Sequence, residues 1–211
     1  MRIKICGLFR DEDIDYVNEA RPDYIGFVFA ESKRQVSSSL ASYLRFRLSE
    51  SIIPVGVFVN APFSLICDLY HNGVISIAQL HGAEDESYIA QLKKLSETKI
   101  RQTVVQPIKV IKTIMHEDIK TKLYLPSSAD YILMDSGKGS GKTFDWDKLK
   151  SLKTKRPWFL AGGLNLNNID KAMELSPFAI DISSGAETNG VKDRKKILEL
   201  VRIVRQGIKN E

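Results

Sequence analysis

Apolar residues gather along the chain in short runs: RIKICG, DYIGFVFA, IPVGVFVN, ISIAQLHG, IRQTVVQ, DYILMDSG, PWFLAGG and FAIDISSG. These runs are rich in β-branched and aromatic residues and are punctuated by Gly, Pro and Asp. They predict eight strands, apolar enough to be buried on both faces. Between most of them the pattern changes to helical spacing or helix start signals, in DEDIDYVNEA, SSSLASYLRFRL, APFSLICDLYHNG, DESYIAQLKKL, DWDKLKSL and NLNNIDKAMEL. A closing helix is predicted in KDRKKILELVRIVRQGIKN, where Ile197, Leu200, Val201, Val204 and Ile208 share one face and the cations take the other. The fifth unit is the least regular: its strand is set at IRQTVVQ, and its helix would begin just after Pro107.

Strand and helix alternate without a Pro/Gly/Ser-rich linker or a low-complexity tract, so residues 1–211 are expected to form one domain. Eight such units suit a (β/α)8 TIM barrel, whose active site lies at the C-terminal ends of the strands. An open doubly wound sheet is the competing architecture. Period two then sorts the side chains. Lys4 and Cys6 share a face of the first strand, Gln79 and His81 a face of the fourth, Asp135 ends the sixth, and Asp181 and Ser183 share a face of the eighth. Polar groups thus collect where a barrel mouth would open.

Composition narrows the classes. A hydrophobic content of 43% over 211 residues is ample for a core. No run of about eighteen apolar residues occurs, and the start MRIKICG lacks the pattern of a secretory signal, so a cytoplasmic protein without a membrane partner is expected. Two cysteines and three scattered histidines give no disulfide framework and no metal-ligand spacing; no metal site is expected. The net charge is +5, but the basic residues are interspersed with acids. A solvated surface is the plain reading, nucleic acid is not expected as a partner, and an anionic small substrate is compatible.

The segment DSGKGSGKTFDW imitates a nucleotide-binding loop. A P-loop reads G-x-x-x-x-G-K-[ST], and counting back from Gly141-Lys142-Thr143 puts Ser136 where the first glycine belongs. The segment is better read as a flexible lid over the barrel mouth. Cys6 ends the first strand; a lone cysteine is commonly structural, but the Lys4 cation on the same face would favour the thiolate, the form able to act as a base. Cys67, inside FSLICDLY, is assigned to packing. Asp135 either caps a turn or pairs with Lys138, or stands ready to exchange protons with a substrate. Arg34 either forks onto a carboxylate or phosphate or lies on the plain surface, and His81 is a ligand, a base or a satisfied core histidine. Two glycine turns, AGGLN and SSGAETNG, follow the seventh and eighth strands, where barrels commonly bind phosphate through backbone amides.

Taken in order, KICGL, DYIGFVFAESKRQVS, VGVFVN, QLHG, DSGKGSGKTFDW, FLAGGLNLNNI and IDISSGAETNGVKD resemble the phosphoribosylanthranilate isomerase family of tryptophan biosynthesis. The resemblance spans nearly the whole chain and is poor only from about 99 to 129. It implies a (β/α)8 barrel that performs an Amadori rearrangement of N-(5-phosphoribosyl)anthranilate, needing no cofactor, as a monomer or a homodimer. By motif position it implies Cys6 as general base and Asp135 as general acid. Arg34 would meet the anthranilate carboxylate, and the amides around Gly163, Ser184 and Gly185 the phosphate, with Gln79, His81 and Asp181 lining the site. Phe9 stands where the family usually has Thr, and Lys33 where it usually has Pro. A related histidine-pathway isomerase would carry an Asp at the position of Cys6. A P-loop NTPase and a non-catalytic phosphosugar-binding barrel are the other rival readings.

Overall fold

The computed structural model describes residues 1–100, 103–115, 128–135, 154 and 156–207. The predicted helix DWDKLKSL, the glycine-rich segment 137–143 and Ile208 lie outside the described residues. The chain begins with β1 (Arg2–Cys6), α1 (Asp11–Ala20), β2 (Tyr24–Val28), α2 (Ser38–Arg47), β3 (Ile53–Phe58), α3 (Phe63–His71), β4 (Ile77–Leu80) and α4 (Glu86–Ser96). It continues with β5 (Thr98–Ile100), β6 (Thr103–Val105), β7 (Lys109–Met115), β8 (Tyr131–Asp135), β9 (Trp158–Ala161), α5 (Ile169–Glu174) and β10 (Ala179–Ile182). The last elements are a 3-10 turn (Ser184–Ala186), β11 (Glu187–Thr188), β12 (Val191–Lys192) and α6 (Arg194–Gln206).

Eight parallel strands close into a barrel in the order β1-β10-β9-β8-β7-β4-β3-β2. The open doubly wound alternative is thereby excluded. One expected strand is corrected. IRQTVVQ is not a stave: part of it forms the small antiparallel pair of β5 and β6, with Thr98 opposite Val105, and the stave between β4 and β8 is KVIKTIM. The physical reason is burial on both faces, since Val110 packs toward the helices and Ile111 toward the barrel interior, both fully buried. The β-branched residues Val110, Ile111, Thr113 and Ile114 also favour a strand over the helix expected after Pro107.

Period two divides the core into an outer shell and an inner floor. Ile3, Ile5, Ile25, Phe27, Val110, Ile132, Leu160, Ile180 and Ile182 face the helices. Tyr24, Val55, Ile77, Ile111, Leu133, Phe159, Ala161 and Ala179 fill the interior, with the Phe159 ring edge-on to Tyr24 at 5.4 Å and to Tyr131 at 5.7 Å. Three staves pass from floor to mouth in two residues: Ile77 to Gln79, Leu133 to Asp135, Ala179 to Asp181. The packed floor closes one end of the barrel, so ligands have access only from the other.

Local signals fix the helices. Ser37, Asp85 and Asp193 cap α2, α4 and α6 by accepting from the amides of Leu40, Tyr88 and Lys196. In α6 the predicted apolar face is realised, with Ile197, Leu200, Val201 and Val204 buried. Among the described residues no helix is long and apolar enough to cross a membrane.

Candidate active site

Above the apolar floor lies a buried polar layer. Lys4, wholly buried on β1, donates from Nζ to Asp181 Oδ2 at 2.8 Å and to Gln79 Oε1 at 2.9 Å. Burial works to lower the Lys4 pKa, but Asp181 and Cys6 outweigh it and hold the ammonium above its ordinary range. Asp181 Oδ1, also buried, has no hydrogen-bond partner among the described residues. A buried acceptor left open at a barrel mouth is suited to a ligand hydroxyl.

Cys6 is the next interior residue of β1, one step above Lys4. Burial pushes its thiol up; Lys4 pulls it down and Asp181 opposes that pull, so the net displacement is upward. The sequence expectation that Lys4 would favour the thiolate holds for the sign of that one interaction. Desolvation is the larger effect, and Asp181 offsets part of the Lys4 attraction. The thiol also depends on the adjacent strand. Gly26 pairs with Cys6 in register, and a Cβ at Gly26 would stand 2.6 Å from Cys6 Sγ. Gly26→Ala is therefore expected to destabilise the fold by about 1–3 kcal/mol through overpacking. Part of that loss should vanish in a Cys6→Ala background, because the clashing sulfur is gone while the Cys6 Cα, 3.2 Å from the added Cβ, remains. Denaturant unfolding of the two single variants and the double variant measures it; strictly additive losses would show that the clash lies elsewhere.

Around the mouth from Cys6, β8 ends in Asp135. His81, just beyond β4, brings Nε2 to 3.7 Å from Asp135 Oδ2, and Gln79 Nε2 lies 3.5 Å from His81 Nδ1. Burial pushes the His81 pKa below the ordinary imidazole range, against an upward pull from Asp135. Gln79 thus serves two groups, Lys4 below it and His81 above.

Arg34 follows β2 and reaches across the mouth. Its Nε and Nη2 make a two-point fork onto Glu187, 2.6 Å to Oε1 and 2.7 Å to Oε2. Buried Lys192 Nζ donates to the same Oε1 at 2.5 Å and to the Ser183 carbonyl at 3.1 Å. Glu187 and Lys192 were missed by sequence reasoning, although a signal existed. Asn189 and Gly190 both have positive φ, 53° and 82°, as a two-residue Asn-Gly hairpin requires, and that turn sets Glu187 opposite Lys192.

The two glycine turns meet as expected. Gly163, Asn165, Leu166, Asn167, Ser184, Gly185 and Lys196 line a hollow of about 400 Å³. The turns approach so closely that a Cβ on Gly185 would lie 1.9 Å from the Leu164 carbonyl oxygen, so only glycine fits. The structure thus gathers Cys6, Arg34, Gln79, His81, Asp135, Asp181, Gly163, Ser184 and Gly185 at one end of one barrel.

Comparison with known proteins agrees with this architecture. The family model described as N-(5′phosphoribosyl)anthranilate (PRA) isomerase matches residues 3–203. The chain is 46% identical over 211 residues to the N-(5′-phosphoribosyl)anthranilate isomerase of Endomicrobium trichonymphae, covering 97% of this chain and 98% of that one. The fold is similar to that of TrpF from Jonesia denitrificans, with a TM-score of 0.82 at 30% identity over 97% of each chain. It is also similar to a phosphoribosyl anthranilate isomerase crystallised in complex with reduced 1-(o-carboxyphenylamino)-1-deoxyribulose 5-phosphate, TM-score 0.74 at 29% identity, over 98% of this chain and 99% of that one. With a match running from the first strand into the last helix, the chain belongs to the N-(5′-phosphoribosyl)anthranilate isomerase family.

Proposed function

We propose that the chain converts N-(5-phosphoribosyl)anthranilate to 1-(2-carboxyphenylamino)-1-deoxyribulose 5-phosphate by an Amadori rearrangement, in tryptophan biosynthesis. Asp135 protonates the furanose ring oxygen as the C1–O bond breaks, and the anthranilate nitrogen lone pair closes onto C1 as an iminium. Cys6, as thiolate, removes the C2 proton, and the electrons of that bond neutralise the iminium to give an enolamine. Ketonisation then moves the hydroxyl proton from oxygen and adds a proton at C1. Atoms balance within the substrate, so one acid and one base suffice. Arg34 receives the anthranilate carboxylate, and amides around Gly163, Ser184 and Gly185 receive the phosphate. Gln79, His81 and Asp181 line the sugar, with the open Oδ1 of Asp181 accepting a sugar hydroxyl. Residues 1–211 act as one catalytic domain in the cytoplasm on a dissolved substrate, as a monomer or a homodimer.

The observation carrying this reading is the placement of Cys6 on β1 and Asp135 on β8 at the same open end, three places apart around the ring. The test mixes purified protein with freshly generated phosphoribosylanthranilate and follows the loss of its anthranilate fluorescence. Rapid loss without added metal or nucleotide is the expected result. No loss would end the assignment and leave the histidine-pathway substrate and a binding-only barrel to be tried.

A further inference from the structure

We propose that Glu187 is a positioning residue: by taking Nε and Nη2 it holds the Arg34 guanidinium in one orientation with Nη1 left for the anthranilate carboxylate, while Lys192 preserves the positive charge the carboxylate needs. This rests on the reading that Arg34 binds that carboxylate. An arginine on a loop has many rotamers and loses them on binding unless the protein has already fixed one. Here two contacts fix it. The side chain lies over Gly7, where a Cβ would come within 2.4 Å of Arg34 Cδ, and Gly7 directly follows Cys6 with φ of 83°. At its far end the guanidinium forks onto Glu187, leaving Nη1 without a hydrogen-bond partner among the described residues. Glu187 in turn begins β11 directly after the Ser184–Ala186 turn. One arginine therefore spans from the residue beside the thiol to the element that carries the phosphate amides.

Charge explains the third member. Arg34 and Glu187 alone form a neutral pair, which would hold little attraction for a substrate anion. Lys192 adds a second cation on the same carboxylate, so the triad keeps one positive charge. Glu187 is nearly buried, yet it faces cations from its own hairpin and from the β2 loop. Burial alone would raise its pKa, but hydrogen bonds from Arg34 and Lys192 hold it below the ordinary carboxylate range, so it is ionised throughout the working pH range. Lys192 is lowered by burial, with Glu187 opposing.

The test compares Glu187→Gln, Arg34→Met and the double variant, reading kcat, KM, the Kd of the reduced product and the inhibition constant of inorganic phosphate. Glu187→Gln is expected to raise KM and the reduced-product Kd by about tenfold or more, with kcat within about threefold. Inhibition by inorganic phosphate should stay within about twofold, because the turn's own amides are untouched. Added to Arg34→Met, Glu187→Gln should have almost no further effect. Multiplicative losses in the double variant, or a phosphate inhibition constant that shifts with Glu187→Gln, would overturn the positioning role. An unchanged KM in Arg34→Met would instead remove the carboxylate reading itself. Should Glu187→Gln leave Lys192 too costly to bury and fail to fold, Glu187→Gln/Lys192→Met replaces it, with the same KM expected to rise.

Discussion

Cys6→Ala is expected to lower kcat by roughly 10²–10⁴-fold while leaving the affinity for the reduced product within about threefold. The reaction cannot proceed past the iminium without loss of the C2 proton. Among the described side chains at the mouth, Asp181 and His81 are two other conceivable bases. Asp181 is committed through Oδ2 to Lys4 at 2.8 Å, and His81 stands beside Asp135, where the acid is needed. The sign of the pH dependence follows from the thiol. A base works deprotonated, and burial holds the Cys6 pKa above its ordinary value despite Lys4. The fraction of thiolate therefore grows with pH beyond neutrality, and kcat/KM should still be climbing where an ordinary thiol, with a pKa of about 8.5, would be half ionised. Steady-state fluorescence assays across pH measure both points. Near wild-type turnover in Cys6→Ala, or a flat profile above neutrality, would end the role of Cys6 as base.

Much of this site was legible because period two is a strong constraint. Once RIKIC, ISIAQL and FAIDI are taken as strands, the polar residues Lys4, Cys6, Gln79 and Asp181 have only one face to occupy, and closure of the sheet turns that face inward. The fifth stave was misplaced for a related reason. TVVQ and KVIKTIM are both short apolar runs, and a run alone does not say which segment is buried on two sides. Fully buried Val110 and Ile111, facing opposite ways, decide it only in three dimensions. Quantities that depend on competing fields were also beyond the sequence. Adjacency of Lys4 and Cys6 on one face predicts an attraction, but Asp181 comes from the far end of the chain, and its 2.8 Å contact with Lys4 weakens what Cys6 receives. The Glu187–Lys192 pair was local enough to be read from the Asn-Gly turn. Its significance was not, because Arg34 arrives from 153 residues away.

Asp135→Asn is the second large effect: kcat should fall by roughly 10²–10⁴-fold with KM changed by less than about threefold. Asn preserves the shape of the carboxyl and much of its hydrogen bonding but has no acidic proton to deliver. Ring opening would then have to expel an alkoxide from C1, a far poorer leaving group than the protonated oxygen. A rival donor among the described residues is His81, whose Nε2 is 3.7 Å from Asp135 Oδ2. Burial pushes the His81 pKa down, which favours the uncharged ring, and the N–H of a neutral imidazole is a very weak acid. His81→Asn is accordingly expected to lower kcat by less than about tenfold, through loss of orientation rather than of a proton. The pair of variants separates the two assignments. If Asp135→Asn kept its turnover while His81→Asn lost it, the proton would have to come from the imidazole, and Asp135 would be the group that orients it.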